Sequence, residues 1–227
     1  MLLEKFYTLG DRLMSFEHVD FSQSQSEVEY KYGWEACMYW SAFYKEELVM
    51  HSDCPVKPGD VFVDLGANIG MSSRYAERIG AKKIYAFEPD PRIFRCLEKN
   101  KGDNWKIYNK AISEIKGKFE IGLWPEIKEF VEVESVSIKD IFSICGLDQI
   151  DFLKVDIEGC ERSVFNTITD DELRRIDRIF IEWHKIHGIT KNANEKFREA
   201  FMNRFNQAGY NCFVYEGYQD FIYSWRI

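Results

Sequence analysis

Residues 61–70, Val-Phe-Val-Asp-Leu-Gly-Ala-Asn-Ile-Gly, constrain the fold more than any other stretch. A short apolar run carries an acid, Asp64, and breaks at two glycines spaced by three residues, Gly66 and Gly70. An amphipathic run, Met71 to Ile79, follows at once and stops at Gly80. The pattern is strand, tight turn, helix. Glycine lets backbone come close to a ligand, and a new helix directs its free N–H groups to the same place. The rest of the chain reads as further layers of a sheet beside this strand.

Four more apolar runs end in polar residues. Lys83-Ile-Tyr-Ala-Phe-Glu88 precedes Pro89-Asp90-Pro91, where Asp90 is placed to cap a helix and Pro91 to occupy its first turn. Trp105 to Asn109, Asp151 to Asp156 and Arg178 to Glu182 are the others. Helices are predicted over Pro91–Asn100, Ile138–Cys145, Glu158–Ile168 and Ala193–Gln207. The last carries Phe197, Phe201 and Phe205 on one stripe and is stopped by Gly209. Residues 118–124 and 130–136 alternate and are predicted to pair as an antiparallel insert, and residues 210–215 and 219–226 as a C-terminal hairpin. Strands alternating with helices, then a hairpin, make a three-layer α/β fold around a mostly parallel sheet with one reversed strand.

The turn cluster Pro55-Val-Lys-Pro-Gly-Asp60 sets the start of this domain, residues 55–227. Residues 1–54 read as a helical, aromatic-rich extension. Leu2, Phe6, Leu9, Leu13 and Phe16 fall at helical steps over residues 1–20, although Gly10 interrupts them. Glu29 to Met50 holds Tyr30, Tyr32, Trp34, Tyr39, Trp40, Phe43 and Tyr44, which either pack on a core or wall an acceptor pocket.

The formal net charge of −8 argues against a nucleic-acid partner held by phosphate contacts. The six cysteines show no metal or disulfide spacing and read as reduced thiols of a reducing, cytoplasmic compartment. No run of about 18 apolar residues is present, so no membrane span is predicted.

In an open α/β sheet, ligands bind outside the carboxyl ends of the strands. The residues there are Asp64, Glu88, Asn109, Asp156 and Glu182, four of them acids. A carboxylate at the end of the second strand can accept hydrogen bonds from a ribose diol, which points to Glu88. A dinucleotide loop is G-x-G-x-x-G, whereas Gly66 and Gly70 give G-x-x-x-G, which suits a nucleotide without a pyrophosphate.

Asp64-x-Gly66-Ala-Asn-Ile-Gly70, Phe87-Glu88-Pro89, Asn109-Lys-Ala-Ile-Ser113, Lys154-Val-Asp156-Ile-Glu158-Gly159-x-Glu161 and Ile181-Glu182-x-His184, in that order, resemble the FkbM family of S-adenosylmethionine-dependent methyltransferases. Val136 to Asp140 departs from the Thr-Leu-Asp-like run common in that family. The resemblance implies the class I methyltransferase (Rossmann-like) fold, a seven-stranded sheet with a reversed C-terminal strand. It implies methyl transfer to a hydroxyl of a small molecule or glycan. Carried over, the backbone of Gly66, Ala67, Asn68 and Gly70 would cradle the methionine and ribose, and Asp64 would hold that loop or the cofactor's amino group. Glu88 would take the ribose hydroxyls, and Asn109 and Ala111 would lie near the adenine. Asp156 would lie nearest the sulfonium.

A sugar hydroxyl is a poor nucleophile while protonated, so a base or a metal is needed. His184, two residues past Glu182, is the candidate base because imidazole titrates near pH 6.5 (about). The expected catalytic set is His184, Asp156 and Glu182. Asp156, Glu158, Glu182 and His184 could also hold a divalent cation. Lys154 and Glu161 read as structural charges. The alternatives are a non-catalytic nucleotide-binding module and a methyltransferase acting on protein. The oligomeric state is open.

Overall fold

The computed structural model describes residues 53–122, 130–185, 190–215 and 220–227, together with the backbone of 7–9 and 12–14. The helix expected over residues 1–20 is not what forms at 7–9 and 12–14, and the rest of that stretch lies outside the described residues. Tyr7–Leu9 (β1) and Arg12–Met14 (β2) are short strands paired antiparallel. Tyr and Thr favour strands, and a glycine at position 10 makes a helix interior costly by about 1 kcal/mol. The aromatic stretch Glu29–Met50 lies outside the described residues.

The main body is a seven-stranded sheet in the order β11-β12-β10-β9-β3-β4-β5. These strands are β3 (Val61–Leu65), β4 (Lys83–Phe87), β5 (Trp105–Tyr108), β9 (Ile150–Val155), β10 (Ile176–Trp183), β11 (Tyr210–Tyr215) and β12 (Asp220–Arg226). β12 runs antiparallel to both neighbours, so the expected reversed strand is the last one. A second sheet, in the order β6-β8-β7, is built from β6 (Ala111–Ile112), β7 (Gly117–Gly122) and β8 (Phe130–Val136). Its β7–β8 pair is the predicted antiparallel insert, and β6 adds to it in parallel.

Alternation along the strands divides the core in two. Val63, Leu65, Leu153, Val155, Ile179 and Ile181 face one side of the sheet. Phe62, Phe152 and Phe180 face the other. The first face is covered by α3 (Ile138–Cys145), α4 (Glu161–Phe165), α5 (Asp170–Leu173) and α6 (Lys191–Gln207). The second is covered by α1 (Met71–Ile79) and α2 (Pro91–Asn100). On α6 the predicted stripe is real: Phe201 and Phe205 are buried and pack on Phe165 with ring centroids 5.3 and 5.4 Å away. Phe197 sits at the margin of this cluster.

Asp90 caps α2 by accepting from the Arg92 N–H, as its position before Pro91 required. The helix expected from Glu158 starts three residues later, at Glu161. Glu158 and Gly159 have φ of 55° and 99°, a left-handed turn that helical geometry cannot include. The domain's entry is pinned by a buried ion pair. Arg178 on β10 donates to Asp60 at 2.8 Å and to the Pro55 carbonyl. Among the described residues no helix is long and apolar enough to cross a membrane, and Cys54, Cys96, Cys145, Cys160 and Cys212 are free thiols.

Candidate active site

The carboxyl ends of β3, β4, β5, β9 and β10 share one edge, since Leu65 pairs in register with both Phe87 and Val155, and Val155 with Ile181. All of Asp64, Glu88, Asn109, Asp156, Glu182 and His184 therefore gather there. The Gly66–Gly70 loop is tied to its neighbours by backbone. The Phe87 carbonyl accepts from Gly66 at 3.0 Å and from Ala67 at 2.9 Å, and the Leu65 carbonyl accepts from Asp156 at 2.9 Å.

The two glycines serve packing. Gly66 has φ 78°, and a Cβ there would lie 1.7 Å from the Asp156 carbonyl oxygen. Gly70 precedes α1 with φ 94°, and its Cβ would strike Leu97 and Trp105 at 2.8 and 2.9 Å. The close approach these glycines permit is to other protein, which the sequence pattern alone does not distinguish from approach to a ligand.

Glu88 is 6% exposed and holds the loop from outside. One carboxylate oxygen accepts from the Asn68 N–H at 2.9 Å, the other from the Asp90 N–H at 2.8 Å. Burial pushes its carboxyl up to about 8, against the pull of these two donors. A carboxylate offers roughly four acceptor positions, so two remain for a diol. Asn109 donates to the Glu88 and Pro89 carbonyls at 2.8 and 2.9 Å, which fixes the same corner. Ala111 is buried in β6, beside Ser135 of β8 in register.

The acids do not simply repel one another across an empty edge. Lys154 lies buried among them, and its register partner on β3 is Asp64. The ammonium stands 3.3 Å from an oxygen of Asp64 and 3.3 Å from Asp156, and donates to the Gly66 carbonyl at 2.7 Å. Burial opposes its charge, but Asp64, Asp156 and Glu182 together hold it above the usual lysine range. Asp64, fully buried, also accepts from the Ser73 hydroxyl of α1 at 2.7 Å. Asp64 thus supports the loop. The lone cation in the apolar run Phe152-Leu-Lys-Val was the signal for this role.

At the other side of Asp156 stands His184, just past the end of β10. Its Nδ1 is 2.9 Å from Glu161, and its Nε2 is 3.2 Å from Glu158. Burial works against its charge, and the two carboxylates outweigh it, so the imidazole is pushed up to about 11. The two carboxylates thus favour the imidazolium, which must lose its Nε2 proton before it can accept another. Burial and the nearby Glu158 push Asp156 upward, against Lys154. Ligand atoms of Asp156, Glu158 and His184 lie within 4.8 Å of one another, and Nε2 is here engaged by Glu158. Glu182 is buried on β10, 8% exposed. His18, His51 and His187 lie outside the described residues.

A seven-stranded, mostly parallel sheet with a reversed last strand is the class I methyltransferase (Rossmann-like) fold. The model of the methyltransferase FkbM domain matches residues 64–212, and the chain belongs to that family. It is 24% identical over 200 residues to the 31-O-demethyl-FK506 methyltransferase FkbM of Streptomyces tacrolimicus, covering 68% of this chain and 76% of that one. It is 25% identical over 138 residues to the 2-O-methyltransferase NoeI of Sinorhizobium fredii, covering 48% of this chain and 57% of that one. Among solved structures, methyltransferase FkbM from Methylobacillus flagellatus KT superposes with a TM-score of 0.51 at 16% identity, over 78% of this chain but 46% of that one. Aeropyrum pernix fibrillarin, in complex with S-adenosyl-L-methionine, gives 0.50 at 16% identity over 82% and 74%.

Proposed function

We propose that the protein transfers a methyl group to a hydroxyl oxygen of a small-molecule or glycan acceptor. The observation that carries this reading is the placement of His184 and Asp156 at the sheet edge, beside the loop that Glu88 and Lys154 hold. S-adenosylmethionine supplies a methyl carbon already activated on a sulfonium. The chain's own task is to align the acceptor and take its proton. With the cofactor bound, the acceptor oxygen would form the new C–O bond and the C–S electron pair would stay on sulfur. We assign the proton to His184, with Asp156 and Glu182 shaping the acceptor side.

For the cofactor, we assign the ribose hydroxyls to Glu88 and the methionine part to the backbone of Gly66, Ala67, Asn68 and Gly70. The adenine is assigned to the corner of Asn109 and Ala111. Two relatives whose names specify O-methylation support the oxygen-directed reading. The test is methyl transfer from labelled S-adenosylmethionine to a panel of sugar, polyol and macrolide hydroxyl acceptors, run with and without EDTA. Turnover that survives EDTA assigns Asp156, Glu158 and His184 to proton transfer. Turnover lost to EDTA and restored by Mg2+ assigns them to a divalent cation. Glu88→Ala should lower S-adenosylhomocysteine affinity at least tenfold, about 1.4 kcal/mol; an unchanged titration would refute the ribose assignment.

A further inference from the structure

We propose that Glu161 is the positioning residue of the methyl-transfer step: it fixes the tautomer and the plane of His184, so that Nε2 is the nitrogen turned to the acceptor. This inference rests on the assignment of His184 as the proton acceptor.

Glu161 is 2% exposed, and a buried carboxylate needs partners to be tolerated at all. It has three, and they converge on one oxygen. The Ile157 N–H approaches at 3.3 Å, the Gly159 N–H at 3.0 Å and His184 Nδ1 at 2.9 Å. The two backbone donors belong to the turn that leaves Asp156, so the carboxylate is fixed relative to the acid at the end of β9. An ionised carboxylate only accepts, and therefore Nδ1 must carry hydrogen. With Nδ1–H committed to Glu161, the exchangeable position of the ring is Nε2.

Nε2 meets Glu158, whose side chain is 82% exposed. The left-handed pair Glu158 and Gly159 folds the chain back so that this carboxylate reaches the ring. The two acids thus differ in kind. Glu161 is immobile and built into α4; Glu158 is held by little besides the ring and can rotate into water. When Glu158 takes the Nε2 proton and turns into water as the carboxylic acid, that proton is lost to solvent, and an acceptor hydroxyl then finds Nε2 bare. The hydroxyl proton moves to Nε2, the O–H electron pair stays on oxygen as the C–O bond forms, and the resulting imidazolium keeps its Nδ1–H on Glu161. The ionisable groups facing the ring are Asp156 at the end of β9, Glu158 and Cys160 in the turn, and Glu161 on α4.

The test uses the full chain labelled with 15N-histidine, titrated by NMR with and without S-adenosylhomocysteine, beside steady-state kinetics on an acceptor found in the panel. Glu161→Gln keeps an oxygen for the two backbone N–H groups and so keeps Nδ1 protonated, but loses the charge. Glu161→Ala loses both. The expected result is that Nδ1 stays protonated through the titration in the native protein and in Glu161→Gln, whereas Glu161→Ala shows the Nε2–H tautomer. In both variants His184 should titrate at lower pH. kcat should fall roughly 10- to 100-fold in Glu161→Ala and less in Glu161→Gln, by analogy with the loss when a carboxylate orienting a metal-ligating histidine is removed. S-adenosylhomocysteine affinity and acceptor KM should stay within about threefold, so that the loss is one of turnover alone. Glu158→Gln should move the acid limb of the pH profile to lower pH.

An Nδ1 signal unchanged in folded Glu161→Ala would overturn the proposal, as would an unchanged kcat. The NMR outcome needs no acceptor. If no acceptor is methylated but the tautomer shift appears, the functional reading has failed, and what survives is that Glu161 sets the tautomer of His184.

Discussion

Glu88 and Lys154 show how single side chains set the chemistry of this edge. Burial raises Glu88 from 4.5 to about 8, so the folded protein favours its protonated form. The stability it contributes is full below its unfolded value and is lost as pH rises through about 8. Ribose hydroxyls donate best to the ionised form. S-adenosylhomocysteine binding at pH 7 should therefore release a proton from Glu88, and calorimetry in buffers of differing ionisation enthalpy should show it. A buffer-independent heat would contradict the assignment. Lys154→Met would leave Asp64 without a cation in a fully buried position, at a cost of about 3–5 kcal/mol in urea denaturation. Gly66→Ala should also be costly, since its Cβ meets a backbone carbonyl at 1.7 Å and φ is +78°. A loss of more than about 3 kcal/mol, or no soluble protein, is expected. These residues also mark what the sequence can disclose. The place of Glu88 and Asp156 at this edge was legible because each ends an apolar run, and that of His184 because it lies two residues past Glu182, which ends another. The use of Lys154 and Glu161 was not, because a strand's register and a turn's handedness decide which charges meet. Nothing in the pattern of Gly66 showed that its empty side is filled by Asp156.

Elements followed the pattern wherever periodicity ran long. β3, β4, β9 and β10 are apolar on both faces, and α6 has its phenylalanine stripe. Phe205→Ala should cost about 3–5 kcal/mol in the same denaturation, because Phe205 is fully buried against Phe165, Phe201 and Tyr210. A loss below about 1 kcal/mol would show that the α6 face is loosely packed. Short elements were harder. β6 has two residues, too few to show alternation, and it exists because β8 offers it an edge. α4 was drawn too long because Glu158 has good helix propensity, which the left-handed turn overrides. The pair β1–β2 was read as helix because its leucines fall at helical steps. Backbone pairing between two three-residue strands leaves no periodicity to read.

At the level of the whole molecule, the two faces of the sheet do different work. The face covered by α1 and α2 carries Asp64 and Lys154, and the face covered by α3 to α6 supplies most of the buried aliphatic and aromatic mass. Charge at the edge is balanced inside the fold by Lys154, while the molecule as a whole stays acidic at −8. The strand order puts β9 between β3 and β10, so the middle of the sheet is made of segments far apart in the chain. Val61 donates to the Asp151 carboxylate across 90 residues of sequence, and Lys154 reaches the Gly66 carbonyl across 88. During synthesis the glycine loop therefore waits. It leaves the ribosome early and meets Phe87 and Glu88 with β4, but Lys154 and Asp156 arrive only with β9. A chain ending at residue 149 should give no S-adenosylhomocysteine signal in titration although it contains Gly66, Gly70 and Glu88. The glycine loop is translated more than 80 residues before Asp156, the residue whose carbonyl fills the side that Gly66 leaves open.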